Sequence, residues 1–189
     1  NKDYPVTLSV LTDKALENLN VSSENKTSLA GQILQFFNQR LEGILLNHGY
    51  SQDIVNAALN KNELTMKHLK QKLYVLSDLK KDPGFSGLLT AAKRVYNILS
   101  KAQTGNVIKD LLTEPSEKEL YASAEIIRTS IADGNFTALI DFTKPVNTFF
   151  DSVLVMDNDD KIRNNRLALL FSVKDIFDSL GDFSKLSEI

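Results

Sequence analysis

An all-α helical bundle is the fold this sequence predicts, and three observations carry that expectation. Apolar residues recur close to the 3.6-residue helical period along most of the chain. Helix-breaking residues divide those stretches at helix-length intervals. The composition, 42% hydrophobic with 8 Gly and 4 Pro in 189 residues, is that of an ordinary globular domain. In chain order, Ser22 and Ser23 are N-cap candidates for a helix whose stripe is Leu29, Ile33, Phe37, Leu41, Ile44 and Leu45. Gly49 stops it and Ser51 caps the next. Met66, Leu69, Leu73 and Leu76 form the stripe of a further helix, and Asp82-Pro83 supplies the cap and first turn of the one after. Glu114-Pro115 opens another, Asp133-Gly134-Asn135 breaks it, and Lys144-Pro145 opens the next. Ile162, Leu169, Val173, Ile176 and Leu180 stripe the last helix. Breaker counting gives about eight helices. One linker candidate stands out, 103–113, and its apolar residues predict that the halves on either side pack together.

Several function classes drop out on composition. The absence of cysteine excludes disulfides, thiolate metal sites and a cysteine nucleophile, and His48 and His68 are too few and too far apart for a metal cluster. No metal site is expected. No apolar run approaches the ~20 residues that span a bilayer, and NKDYPVTLSV lacks a signal-peptide pattern, so a soluble, cytoplasmic protein with no membrane partner is expected. A Gly-rich phosphate loop and a credible Ser/His/Asp ordering are also missing, and Asp159-Asp160 fits dipole stabilisation at a helix start better than acid–base work. No catalytic residue is assigned.

The net charge of −2 conceals a strong asymmetry. Residues 61–101 hold nine Lys/Arg against three acids, whereas 102–160 hold four against eleven. Within the basic block, a wheel at 100° per residue puts Leu88, Ala92, Val95, Tyr96 and Leu99 on one face of the helix containing AAKRVYNILSK. Arg94, Asn97 and Lys101 lie opposite, with Lys93 on the flank. That face offers a guanidinium, an amide and ammonium groups, the mixture that phosphate positioning and base-edge hydrogen bonding use. The preceding helix adds Lys67 and Lys70 beside Tyr74, an aromatic able to stack on an unpaired base. Both sets also fit plainer roles, a solvated face and a packed ring.

Five blocks carry a family likeness: RLEGILLNHGYSQDIVNAAL (40–59), AAKRVYNIL (91–99), TEPSEKELY (113–121), KPVNTFFDSVLVMDNDDKIRNNRLALL (144–170) and GDFSKL (181–186). In this order they resemble the C-terminal region of bacterial glycyl-tRNA synthetase β subunits. The resemblance implies a DALR-type anticodon-binding domain over 31–189, preceded by an N-terminal helical segment over 1–30 that leads from the rest of the β subunit. It implies glycine tRNA and the α subunit, or an α region, as partners, with no DNA partner. It further implies that ATP and Mg serve the whole enzyme elsewhere, with no cofactor in this fragment, and that the chain is an excised C-terminal piece of a longer protein. The position often read as Asn before Lys-Arg is Ala92 here.

In the last block, Arg166 falls inside the apolar stripe, Arg163 at its edge and Asn164 away from it. A guanidinium within a stripe must be paired, and Asp151, Asp157, Asp159 and Asp160 are near enough in sequence to fold back on it. Arg166 with Asp151, Asp157 and Asp160 is therefore expected to be a structural clasp, while Arg163 and Asn164 stay candidates for RNA contact. A protein-interaction module without RNA contact is the alternative, with Leu167 and Phe171 as its exposed apolar patch.

Overall fold

The computed structural model of the protein describes residues 6–20, 22–59, 65–99 and 105–188. Among the described residues every regular element is helical, nine α-helices and two 3-10 turns, with no strand. The chain divides into two compact units, residues 1–77 and 78–189. The boundary expected after residue 30 instead falls inside one continuous helix, Ser23–Asn47, whose hydrogen-bonded backbone offers no hinge there.

The first unit contains α1 (Leu8–Glu17), α2 (Ser23–Asn47), α3 (Gln52–Ala58) and most of α4 (Met66–Leu79). Thr7 caps α1 by accepting from the Val10 N–H, and Ser22 caps α2 by accepting from Asn25. Gly49, at φ +88°, ends α2 in the left-handed conformation that glycine adopts without strain. Ser51 sits at the N-cap of α3, but its hydroxyl donates to Asp53 at 2.5 Å instead of capping. The stripe of α2 is apolar as expected yet only partly covered. Leu45 is buried, whereas Phe37 and Ile44 are about half exposed. With Val6, Leu11, Phe36 and Met66 they line an apolar groove of about 430 Å³.

The second unit contains α5 (Phe85–Leu99), α6 (Pro115–Ala132), the one-turn α7 (Ala138–Asp141), α8 (Thr143–Ser152) and α9 (Asp160–Leu180). The short α7 is the helix that breaker counting misses, because it fits between Gly134 and Pro145. Gly84 precedes α5 where a Cβ would stand 2.5 Å from Ile140 Cγ2, so only glycine lets the turn lie against α7. Asp159 caps α9, its carboxylate accepting from the Lys161 N–H at 2.7 Å. Leu88, Leu89, Ala91, Ala92 and Val95 of α5 and Leu169, Val173 and Phe177 of α9 are fully buried where these helices pack. Phe177 stacks at 6.0 Å from Phe142 and 5.1 Å from Phe183. Phe183 opens the terminal 3-10 turn Phe183–Lys185, which gives GDFSKL its role in closing the core.

The linker candidate is no linker where it is described. Its 3-10 turn Lys109–Leu111 packs on α9, and Leu112 is buried. Residues 103 and 104 lie outside the described residues. Among the described residues no helix is long and apolar enough to cross a membrane.

Candidate nucleic-acid interface

The polar residues of the second unit divide into those that hold helices together and those left open to solvent. Arg166 belongs to the first kind, with a side chain 7% exposed. Its Nε donates to Glu117 Oε1 at 2.5 Å, and its Nη1 donates to Asp157 Oδ2 at 2.7 Å and the Leu154 carbonyl at 2.9 Å. Glu117 is fully buried, and its other oxygen accepts from the Glu114 N–H at 2.9 Å, closing the capping box of α6. Burial alone would lower the Arg166 pKa, but the Glu117 and Asp157 carboxylates outweigh it and raise the value. The Asp157 carboxyl is held below the usual range, first by the Asp159 N–H, 2.9 Å from its Oδ1, and then by Arg166. This clasp ties α6, α9 and the 153–159 loop into one corner.

Of the carboxylates expected on Arg166, Asp157 alone is placed there. Asp151 lies instead on Arg94, and Asp160 on Arg163, one turn along α9. The reason is reach: Asp151 is on α8 facing α5, and Asp160 is an i,i+3 neighbour of Arg163 on the outer side of α9. Arg163 also donates to the Asp157 carbonyl at 2.8 Å, so its guanidinium braces the loop, while Asn164 is exposed. Glu117 was outside the expected set because its partner is 49 residues away. A wheel on α6 finds it, since Glu117 shares the stripe of Leu120, Ala124 and Ile127, all buried.

The α5 face is not the open surface that the wheel suggests. Arg94 donates to Asn147 Oδ1 at 3.1 Å, pairs with Asp151 at 3.3 Å and lies 4.6 Å above the Phe150 ring. All three partners are on α8, which packs against the side of α5 that a lone helix leaves to water. Lys93 is half-buried, Asn97 is exposed, and Lys101 lies outside the described residues. On the inner side, Tyr96 donates to Asp178 at 2.5 Å, and burial together with that carboxylate pushes its phenol well above its ordinary range. In the first unit, Lys67 and Lys70 are exposed on one face of α4 with Tyr74, a residue 68% exposed.

Leu167 and Phe171 do not form an exposed patch. Leu167 is buried and Phe171 half-buried, because α9 is wrapped by α5, α6 and the Lys109–Leu111 turn. Asn165, also buried, clamps the strand-like segment before that turn. Its Oδ1 accepts from the Ile108 N–H at 2.7 Å and its Nδ2 donates to the Ile108 carbonyl at 3.1 Å. Beside the clamp, a groove of about 540 Å³ opens between residues 105–111 and the first turns of α9.

The pattern of the DALR anticodon binding domain matches residues 88–183, from within α5 to the phenylalanine that closes the core. The chain belongs to the DALR anticodon-binding domain family. The family region contains the clasp, the α5–α8 seam and the groove, while Lys67, Lys70 and Tyr74 lie outside it. The chain is similar to proteins named glycine–tRNA ligase β subunit. It is 30% identical to that of Syntrophus aciditrophicus over 98% of this chain and 28% of the relative. It is 32% identical to that of Clostridioides difficile over 98% of this chain and 28% of the relative. Over 80% of this chain and 24% of the relative, it is 38% identical to that of Neisseria meningitidis. The chain thus spans about a quarter of the length of these relatives.

Proposed function

We propose that this chain binds tRNA at the anticodon, as the C-terminal part of a glycine–tRNA ligase β subunit working in the cytoplasm with an α subunit or α region. The observation that carries the reading is the overlap of the DALR family region with the second compact unit. The similarity to glycine–tRNA ligase β subunits over nearly the whole chain supports the choice of glycine tRNA. In this reading ATP and Mg²⁺ are held elsewhere in the whole enzyme. No cluster of three or more His, Cys, Asp or Glu suited to a metal occurs among the described residues, and the sequence has no phosphate loop. The chain's own contribution is binding: exposed ammonium groups of Lys67 and Lys70 for phosphates, and the Tyr74 ring as a stacking platform.

The test is binding of the chain to glycine tRNA across a salt series. Log affinity should fall linearly with log salt, and Lys67→Ala or Lys70→Ala should each reduce the slope by roughly one unit while weakening all tRNAs alike. No binding at low salt would overturn the reading in favour of a protein-interaction module, from which burial of Leu167 already removes the expected patch.

A further inference from the structure

We infer that the apolar groove of the first unit seats an amphipathic helix from the rest of the same β-subunit polypeptide, and that this helix brings a carboxylate to Arg40. The inference rests on the reading of the chain as part of a β subunit and goes beyond it by placing a contact within that subunit.

Of the thirteen large apolar residues exposed among the described residues, eight lie between Val6 and Met66. In the same stretch α1 and α2 bury only Leu16 and Leu45 among their hydrophobic side chains. The exposed residues are not scattered. Phe36, Phe37 and Ile44 of α2 join Leu11 of α1 and Met66 of α4 around one concave groove of about 430 Å³. Clustered apolar exposure of this kind marks a binding face. Phe36 and Ile44 are two turns apart, about 12 Å at the helical rise. That is close to the interval over which the i, i+3 or i+4, and i+7 anchors of a facing helix repeat.

Arg40 decides what the occupant carries. It stands on α2 one turn from both Phe36 and Ile44, lines the groove and is exposed. Its guanidinium has no hydrogen-bond or ion-pair partner among the described residues. A helix laid over this stripe takes the guanidinium away from water, and a covered charge needs a partner, as Arg166 has in Glu117. The groove lining contains no Asp or Glu, so the carboxylate comes with the occupant. The same fact disfavours a second copy, because two-fold pairing of this face on itself would gather two Arg40 side chains with nothing in the lining to neutralise them. A segment of the same polypeptide is the better occupant. The groove lies outside the DALR region, yet the similarity to the Syntrophus aciditrophicus β subunit takes in 98% of this chain and only 28% of the relative, so most of that polypeptide is available to cover it. A tethered segment reaches a small groove at the effective concentration its linker sets, without the cost of recruiting a free partner.

The test is thiol labelling with iodoacetamide of Ile44→Cys, made in the 189-residue chain and in the full β subunit that carries it, and read by mass spectrometry on the peptide containing position 44. Labelling should be about tenfold slower in the full subunit, because the tethered helix holds the groove closed most of the time. Adding Arg40→Glu or Phe37→Asp should restore the rate of the 189-residue chain, with the melting temperature of that chain unchanged by Arg40→Glu. Equal rates in the two proteins overturn the assignment. Protection that appears in the 189-residue chain alone as its concentration rises gives the groove to a second copy and also overturns it. Protection of the full β subunit only after α subunit is added does the same, by making the occupant a separate chain. No tRNA is present, so failure of protection here and failure of tRNA binding in the salt series are separate results.

Discussion

Two adjacent stretches of α9 handle their polar residues in opposite ways. Asn165 and Arg166 point inward, are almost fully buried, and have their donors matched by Ile108, Glu117, Leu154 and Asp157. Lys161 and Asn164, within one turn of them, are exposed at a groove, and neither side chain has a hydrogen-bond or ion-pair partner among the described residues. The difference teaches how to sort the polar residues of one helix. A buried polar group must find its partners inside the fold, so its removal is felt as lost stability. An exposed group without partners costs the fold nothing, so its removal is felt only by a ligand.

Arg166→Ala is the strongest way to break the contrast. It leaves the fully buried Glu117 carboxylate without its counter-charge and should cost about 3–5 kcal/mol. Thermal denaturation of the variant should show a fall on the order of 10 °C or more. Arg166→Lys should also lose stability, because one ammonium cannot serve Nε and Nη1 partners on opposite sides. A loss under a degree or two would mean that the corner is not an energetic clasp.

The clasp also has a pH signature. The Asp157 carboxyl is lowered in the folded chain, so it contributes stability above its unfolded pKa of about 3.9, and that stability is lost as pH falls through the lower folded value. Melting of wild type and Asp157→Asn should therefore differ near neutral pH, in favour of wild type, and the gap should close as pH falls through the lowered folded pKa. A gap that persists undiminished into acid would assign the effect to shape and not to charge.

Smaller still is the expected effect of Asn165→Ala, about 1–3 kcal/mol, since it leaves a backbone N–H and carbonyl of Ile108 unpaired at a partly buried site. Hydrogen exchange at Ile108 should speed up before the rest of the second unit does, which would show the clamp acting locally.

These residues also mark how far the sequence could be read. Helical periods in α4, α5 and α9 reflect one-sided burial, and that local signal placed Leu73, Val95, Leu169 and Arg166 inside the fold. Asp157 was within reach of Arg166 along the chain. Glu117 was not, because its pairing is a tertiary fact set by how α6 crosses α9. Arg94 failed for a related reason: a wheel has one inside, whereas α5 meets both α8 and α9, and the second neighbour captured a side chain drawn as solvated. The stripe of α2 erred the other way, apolar in period yet half exposed at Phe37 and Ile44. A period reports that a face is apolar and does not name what covers it.

Asn164→Ala carries the smallest expected effect on the fold and is the sharpest test of the comparison. The residue is exposed on α9 and bonded to nothing described, and alanine has the higher helix propensity, so stability should change by no more than about 0.5 kcal/mol in either direction. If the open stretch reads RNA, the same variant should lose discrimination for an anticodon-altered glycine tRNA while its salt slope stays at the wild-type value, because no phosphate contact has been removed. Paired measurement with Asn165→Ala separates the two roles one residue apart. The inward variant should melt earlier, and the outward variant should melt like wild type and bind differently. Were Asn164→Ala to destabilise the fold as much as Asn165→Ala, the outward stretch would be architecture too, and the division drawn along α9 would be lost.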